Sequence, residues 1–77
     1  TSKLFQGGHD TILKKVAEEA GEVLLASKGG KKEEIVYEVA DLFFHTLMVL
    51  GYHGLSLQDI YEELGRRSGK SGLRPEK

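Results

Sequence analysis

Apolar residues recur at three- and four-residue intervals through most of this chain, the signature of helices with a buried face. Ile12, Leu13, Val16, Ala17, Ala20, Val23 and Leu24 form one broad arc, predicting a first helix from about Thr11 to Ser27 with Asp10 as its N-cap. Lys28-Gly29-Gly30-Lys31 then supplies a stop and a tight turn, with two glycines free to take positive φ. A second helix is predicted from about Lys32 to Tyr52, ending near Gly51 or Gly54. Ser56, followed by Asp59, resembles a capping box that opens a third helix to about Arg67, in which Leu57, Ile60, Tyr61 and Leu64 keep the helical spacing. Thr1 to Gly8 reads as the stub of a helix, and the glycine- and serine-rich tail from Ser68 as a loop. The expected class is all-α: two long antiparallel helices and a short third one.

The acidic residues gain meaning from their helical phase. In the first helix Glu18, Glu19, Glu22 and Lys15 gather opposite the apolar arc, which by itself is the pattern of any amphipathic surface helix. The second helix differs. Glu34, Glu38, Asp41 and His45 share a narrow stripe, while Ile35, Val36, Val39, Leu42, Phe43, Phe44 and the residues 47–50 occupy most of the rest. A helix apolar nearly all round is normally buried, and carboxylates on such a helix are costly unless paired or bound to metal. Counting back from the turn at about 1.5 Å per residue sets Glu22 near the level of Glu38, and Glu19 near Asp41. The two acidic clusters then face each other, as a divalent metal site requires. The candidate ligands are hard oxygens and cysteine is absent, so Mg2+, with Mn2+ as the alternative, is favoured over zinc.

Composition narrows the rest. A chain of 77 residues without cysteine is expected to form one small domain, residues 1–77, and a chain this short rarely completes a core without a metal or a partner subunit. The third helix is too short to cover the second, so a homodimer is expected, making a helical bundle. A net charge of -1 gives no argument for nucleic acid or membrane as partner. No apolar run approaches the roughly 18 residues of a bilayer span, and a cytoplasmic location is expected.

The motif E-E-x-x-E at Glu18, Glu19 and Glu22, followed by E-x-x-D at Glu38 and Asp41, resembles that of the all-α nucleoside triphosphate pyrophosphohydrolase superfamily, the MazG-like group. Within it the chain is similar, over nearly its full length, to the phosphoribosyl-ATP pyrophosphohydrolases of histidine biosynthesis. ILKKVAEEAGEV followed by Ala26 to Lys28, EVADLFFHTLMVL and GLSLQDIYEELGRR carry the likeness. It implies magnesium-dependent hydrolysis of phosphoribosyl-ATP to phosphoribosyl-AMP and pyrophosphate by a helical homodimer. By position it implies Glu19, Glu22, Glu38 and Asp41 as metal ligands and Glu18 as an additional acid. The sequence departs from the family at a start that lacks part of the usual first helix, and at the tail SGLRPEK. A MazG-like enzyme acting on noncanonical nucleotides is the alternative, and a non-enzymatic dimerisation module the third reading.

A triphosphate would be repelled by five carboxylates unless it arrived with or upon metal. Glu22 or Glu18 is then the candidate base for the attacking water. Lys15 is the first candidate for a phosphate contact, with Lys14, Arg67, Arg66 and Lys70 behind it. Lysine beside glutamate is also the ordinary surface ion pair. The run Gly65 to Ser71 imitates a P-loop but has three residues between its glycines where four are required. His9-Asp10 reads as a helix start rather than a phosphohydrolase dipeptide. His45 is expected to make a structural hydrogen bond or to support a ligand carboxylate, and His53 to lie in a loop. Tyr37 and Phe44 are assigned to the core, ahead of a dimer interface or a base site.

Overall fold

A computed structural model describes residues 8–69, and it is entirely helical apart from its turns. Helix α1 spans His9–Gly29, α2 Lys32–Tyr52 and α3 Leu57–Gly69. Helix α1 starts earlier than expected. Its N-cap is Gly8, at φ 91°, and Asp10 falls inside the first turn, where its charge meets the positive end of the helix dipole instead of capping it. Gly30, at φ 83°, ends α1 in the left-handed conformation, its N–H donating to the Ala26 carbonyl at 3.0 Å.

The second helix has the expected bounds. Beyond it, the Ser56 N–H donates to Asp59 Oδ2 at 2.9 Å, half of the anticipated capping box, and this opens α3. Helix α3 extends to Gly69, so Ser68 is helical and not the start of a loop. The N-terminal stub and the tail from Lys70 lie outside the described residues.

Helices α1 and α2 pack antiparallel along a seam whose residues recur every three, four or seven positions. His9, Ile12, Glu19 and Ala26 form one side; Glu38, Asp41, His45, Met48 and Tyr52 form the other. The seam is anchored at the open end by His9 stacked on Tyr52, ring centroids 4.4 Å apart, with the His53 ring edge-on to both. Every buried residue of the two helices lies on it: Ile12, Glu19, Ala26, His45 and Met48. Knobs at these intervals are what two helices need to interlock. Glu19 therefore occupies a core position.

The rest of the apolar surface is bare. Leu24, Val36 and Phe43 are all more than 60% exposed, and the apolar set of α3 stands open as well. Tyr37 and Phe44, expected in the core, are exposed too. A slab of 44 × 35 × 16 Å explains this, because a layer one to two helices thick has no second layer to close on it. Its radius of gyration, 15.1 Å, exceeds the 11–12 Å or so of a compact chain this long. One expectation is corrected here: α2 is long and apolar enough, by length and composition, to cross a membrane. No unbroken apolar run reveals it, because scattered charged and polar residues interrupt the stretch while the composition of the whole helix remains apolar. Core helices of soluble proteins have the same composition.

Candidate active site

Midway along the seam, where apolar knobs would ordinarily meet, the chain places acids. Carboxylate oxygens of Glu19, Glu38 and Asp41 lie within 4.8 Å of one another, Glu19 buried and the other two half-buried. The antiparallel turn produces this meeting, since Glu38 and Asp41 are one turn apart on α2 and Glu19 sits opposite them. Like charges held so close disfavour their own ionisation. Glu38 records the conflict: burial first, then the charges of Glu22, Glu19 and Asp41, and lastly a hydrogen bond with Glu19, raise its carboxyl above the ordinary value of 4.5.

Neighbouring groups are arranged around this triad. Lys15 Nζ stands 3.6 Å from Glu19 and 3.6 Å from Glu18, a partial counter-charge on the exposed side. The His45 Nδ1 is 2.8 Å from the Asp41 carbonyl. A carbonyl only accepts, so Nδ1 carries the proton and the structural hydrogen bond expected of His45 is present. Phe44 meets the His45 ring edge-on at 5.1 Å.

The other anticipated residues divide. Glu22 is outside the tight triad but adjoins it, lining a cleft with Glu38. Glu18 is exposed and held by Lys15. Lys14 projects about 140° around α1 from Glu19, away from the triad. Arg67 and Arg66 both pair with Glu63 on their own helix, and Arg67 Nε lies 2.9 Å from that carboxylate. These arginines depress the Glu63 carboxyl through their hydrogen bonds. Sequence reasoning missed the cleft itself, about 290 Å³, which runs from Glu22 and Glu38 toward the turn and includes Leu25, Glu34 and Tyr37. The available signal was Tyr37 directly preceding Glu38, on the flank of the acidic stripe.

Hard oxygens, a triad separation that several ligands of one ion can share, and carboxylates that gain from a cation together fit a divalent metal. A pH test follows. Because the Glu38 value is raised in the folded state, its contribution favours folding below the ordinary carboxylate range and is lost as pH rises through the folded value. In EDTA, the melting temperature of wild type relative to Glu38→Gln should fall as pH is raised through that window, which cancels the opposite contribution of the depressed Glu63 carboxyl, and added Mg2+ should reverse the fall most strongly at the upper end. A metal-free difference that rises with pH over the same window contradicts the arrangement.

A sequence profile described as phosphoribosyl-ATP pyrophosphohydrolase matches residues 1–68, most of the chain. The chain belongs to this family. All of the acids of the triad and its rim lie inside the matched stretch. A phosphoribosyl-ATP pyrophosphatase of Geobacter metallireducens is 62% identical over 73 residues, which cover 95% of this chain and 67% of the relative. Proteins of the same name from Pelobacter propionicus, 53% identical over 73 residues, and Neisseria meningitidis, 56% identical over 72, cover 95% and 94% of this chain and 68% and 67% of their own lengths. Among phosphoribosyl-ATP pyrophosphohydrolases, the chain thus spans about two thirds of the relatives it matches.

Proposed function

We propose that this chain, as one domain of a cytoplasmic homodimer, hydrolyses phosphoribosyl-ATP to phosphoribosyl-AMP and pyrophosphate in histidine biosynthesis, using Mg2+. The observation that carries the reading is the convergence of Glu19, Glu38 and Asp41 at core positions of the helix seam. Three acids in a packing seam cost stability unless a cation is shared among them. The relatives' name supplies the substrate, and the acid geometry supports the chemistry.

Glu19, Glu38 and Asp41, with Glu22 beside them, would hold the metal. Bound there, Mg2+ supplies charge neutralisation for the phosphates and a Lewis acid for the anhydride. Glu22 or Glu18, both exposed beside the triad, would orient the attacking water and take its proton. Lys15 now neutralises Glu19 and Glu18. With Glu19 engaged by a cation, the Lys15 ammonium would be free to contact the phosphates. The bare face of α2 is the surface a second copy would cover, which agrees with a homodimer and gives a non-membrane reason for its apolar composition.

The test offers phosphoribosyl-ATP and a panel of canonical and noncanonical dNTPs with Mg2+ and measures pyrophosphate. Phosphoribosyl-ATP should be preferred by kcat/KM. A preference for the dNTPs would transfer the chain to the nucleotide-cleansing reading, and no turnover of any would leave the dimerisation module.

A further inference from the structure

The cleft beside the triad has a composition that fits one part of a nucleotide and excludes another. Tyr37 lines it and is 65% exposed, with no hydrogen bond or ring contact among the described residues. Leu25, likewise exposed, lines the same cleft from α1, and Glu22, Glu34 and Glu38 complete much of its polar surface. No phosphate would enter among these carboxylates unaided. A neutral base meets no such barrier: it can stack on the phenol ring, pack its other face toward the leucine, and donate N–H groups to carboxylate oxygens. At about 290 Å³ the cleft sits at the small end of ligand pockets, with room for part of a nucleotide rather than all of it.

We infer that Tyr37 is the base-stacking residue of the site, binding the purine ring of the substrate while the phosphates lie at the Glu19–Glu38–Asp41 triad. The inference rests on the pyrophosphohydrolase reading. Its geometry is independent of the substrate's name: Tyr37 immediately precedes Glu38, so the helix sets the ring about 100° from a triad carboxylate and on the open side. Leu25 lies three residues past Glu22, one turn closer to the Gly29-Gly30 turn.

The test compares wild type, Tyr37→Ala and Tyr37→Phe for hydrolysis of phosphoribosyl-ATP, and for inhibition by inorganic tripolyphosphate, which has phosphates and no base. Stacking on an aromatic side chain is strong enough that Tyr37→Ala should raise KM about tenfold or more. Its kcat should change less than KM, Tyr37→Phe should stay within about twofold of wild type because the ring face is retained, and the tripolyphosphate inhibition constant should not move. Equal weakening toward both ligands, an unchanged KM, or a shift of Tyr37→Ala to a smaller species on size exclusion each overturn the assignment. Wild type without phosphoribosyl-ATP turnover overturns the enzymatic reading itself and the inference with it.

Discussion

Asp41→Asn should lower kcat/KM for phosphoribosyl-ATP on the order of 100- to 1000-fold while leaving the circular dichroism of the helices intact, because it removes one charged ligand from a preorganised site without changing its shape. Glu19→Gln should match it. Glu38→Gln gives the more discriminating result, since activity and stability should move in opposite directions. At neutral pH the Glu38 carboxylate is held partly desolvated and, after that, against its neighbours' charges, which is why its proton affinity is raised. Replacing it with an amide of the same size relieves that repulsion. The variant should therefore melt higher than wild type in EDTA, yet gain less from added Mg2+ and turn over slowly. The three acids would be shown to be a mere packing accident by variants that keep wild-type turnover, or by a calorimeter that detects no Mg2+ binding to the parent chain. Glu18→Gln is the control within the same motif: it is exposed and outside the triad, so its loss should fall on rate more than on metal affinity.

Much of this site was legible in the sequence because its geometry is that of one short turn. Two helices joined by Gly29-Gly30 must run antiparallel, and that alone sets Glu19 against Asp41 and Glu38. The His45 hydrogen bond was also readable, four residues from Asp41 on one helix face. The first helix boundary was not, because Gly8 can enter a helix at positive φ without any side-chain cap, and Asp10 drew the eye as a capping residue. Tyr37 and Phe44 were misassigned to the core for a different reason. Apolar residues cover nearly the whole circumference of α2, so periodicity cannot say which flank meets α1, which borders the site and which awaits another surface. Lys15 takes the ordinary ion-pair reading, standing within range of two glutamates, and its phosphate contact stays a proposal. Arg67, a weaker candidate in sequence, is taken by Glu63, which sits four residues before it on the same helix.

The bare flank leads to the second large effect. Leu13 and Val16 of α1, Phe43, Leu47 and Leu50 of α2, and Ile60 of α3 border an open cleft of about 500 Å³ with an almost wholly apolar wall. Only Ile12, Ala26 and Met48 form the buried apolar core of the described residues. Burying a large apolar side chain contributes about 1.5–3 kcal/mol, so two such residues and an alanine cannot balance the ordering of two long helices. Sedimentation equilibrium at micromolar concentration should accordingly report twice the 8.5 kDa of the chain. Phe43→Asp should abolish that species. In a two-fold interface the substitution enters twice, and each copy sets a carboxylate against apolar surface, a cost comparable to the whole stability of a domain this small. The expected product is an unfolded or molten chain with low helicity and little activity, since the triad exists only while α1 and α2 stay in register. A folded, active 8.5 kDa Phe43→Asp monomer would show instead that the seam alone holds the site together, and that the second layer is dispensable.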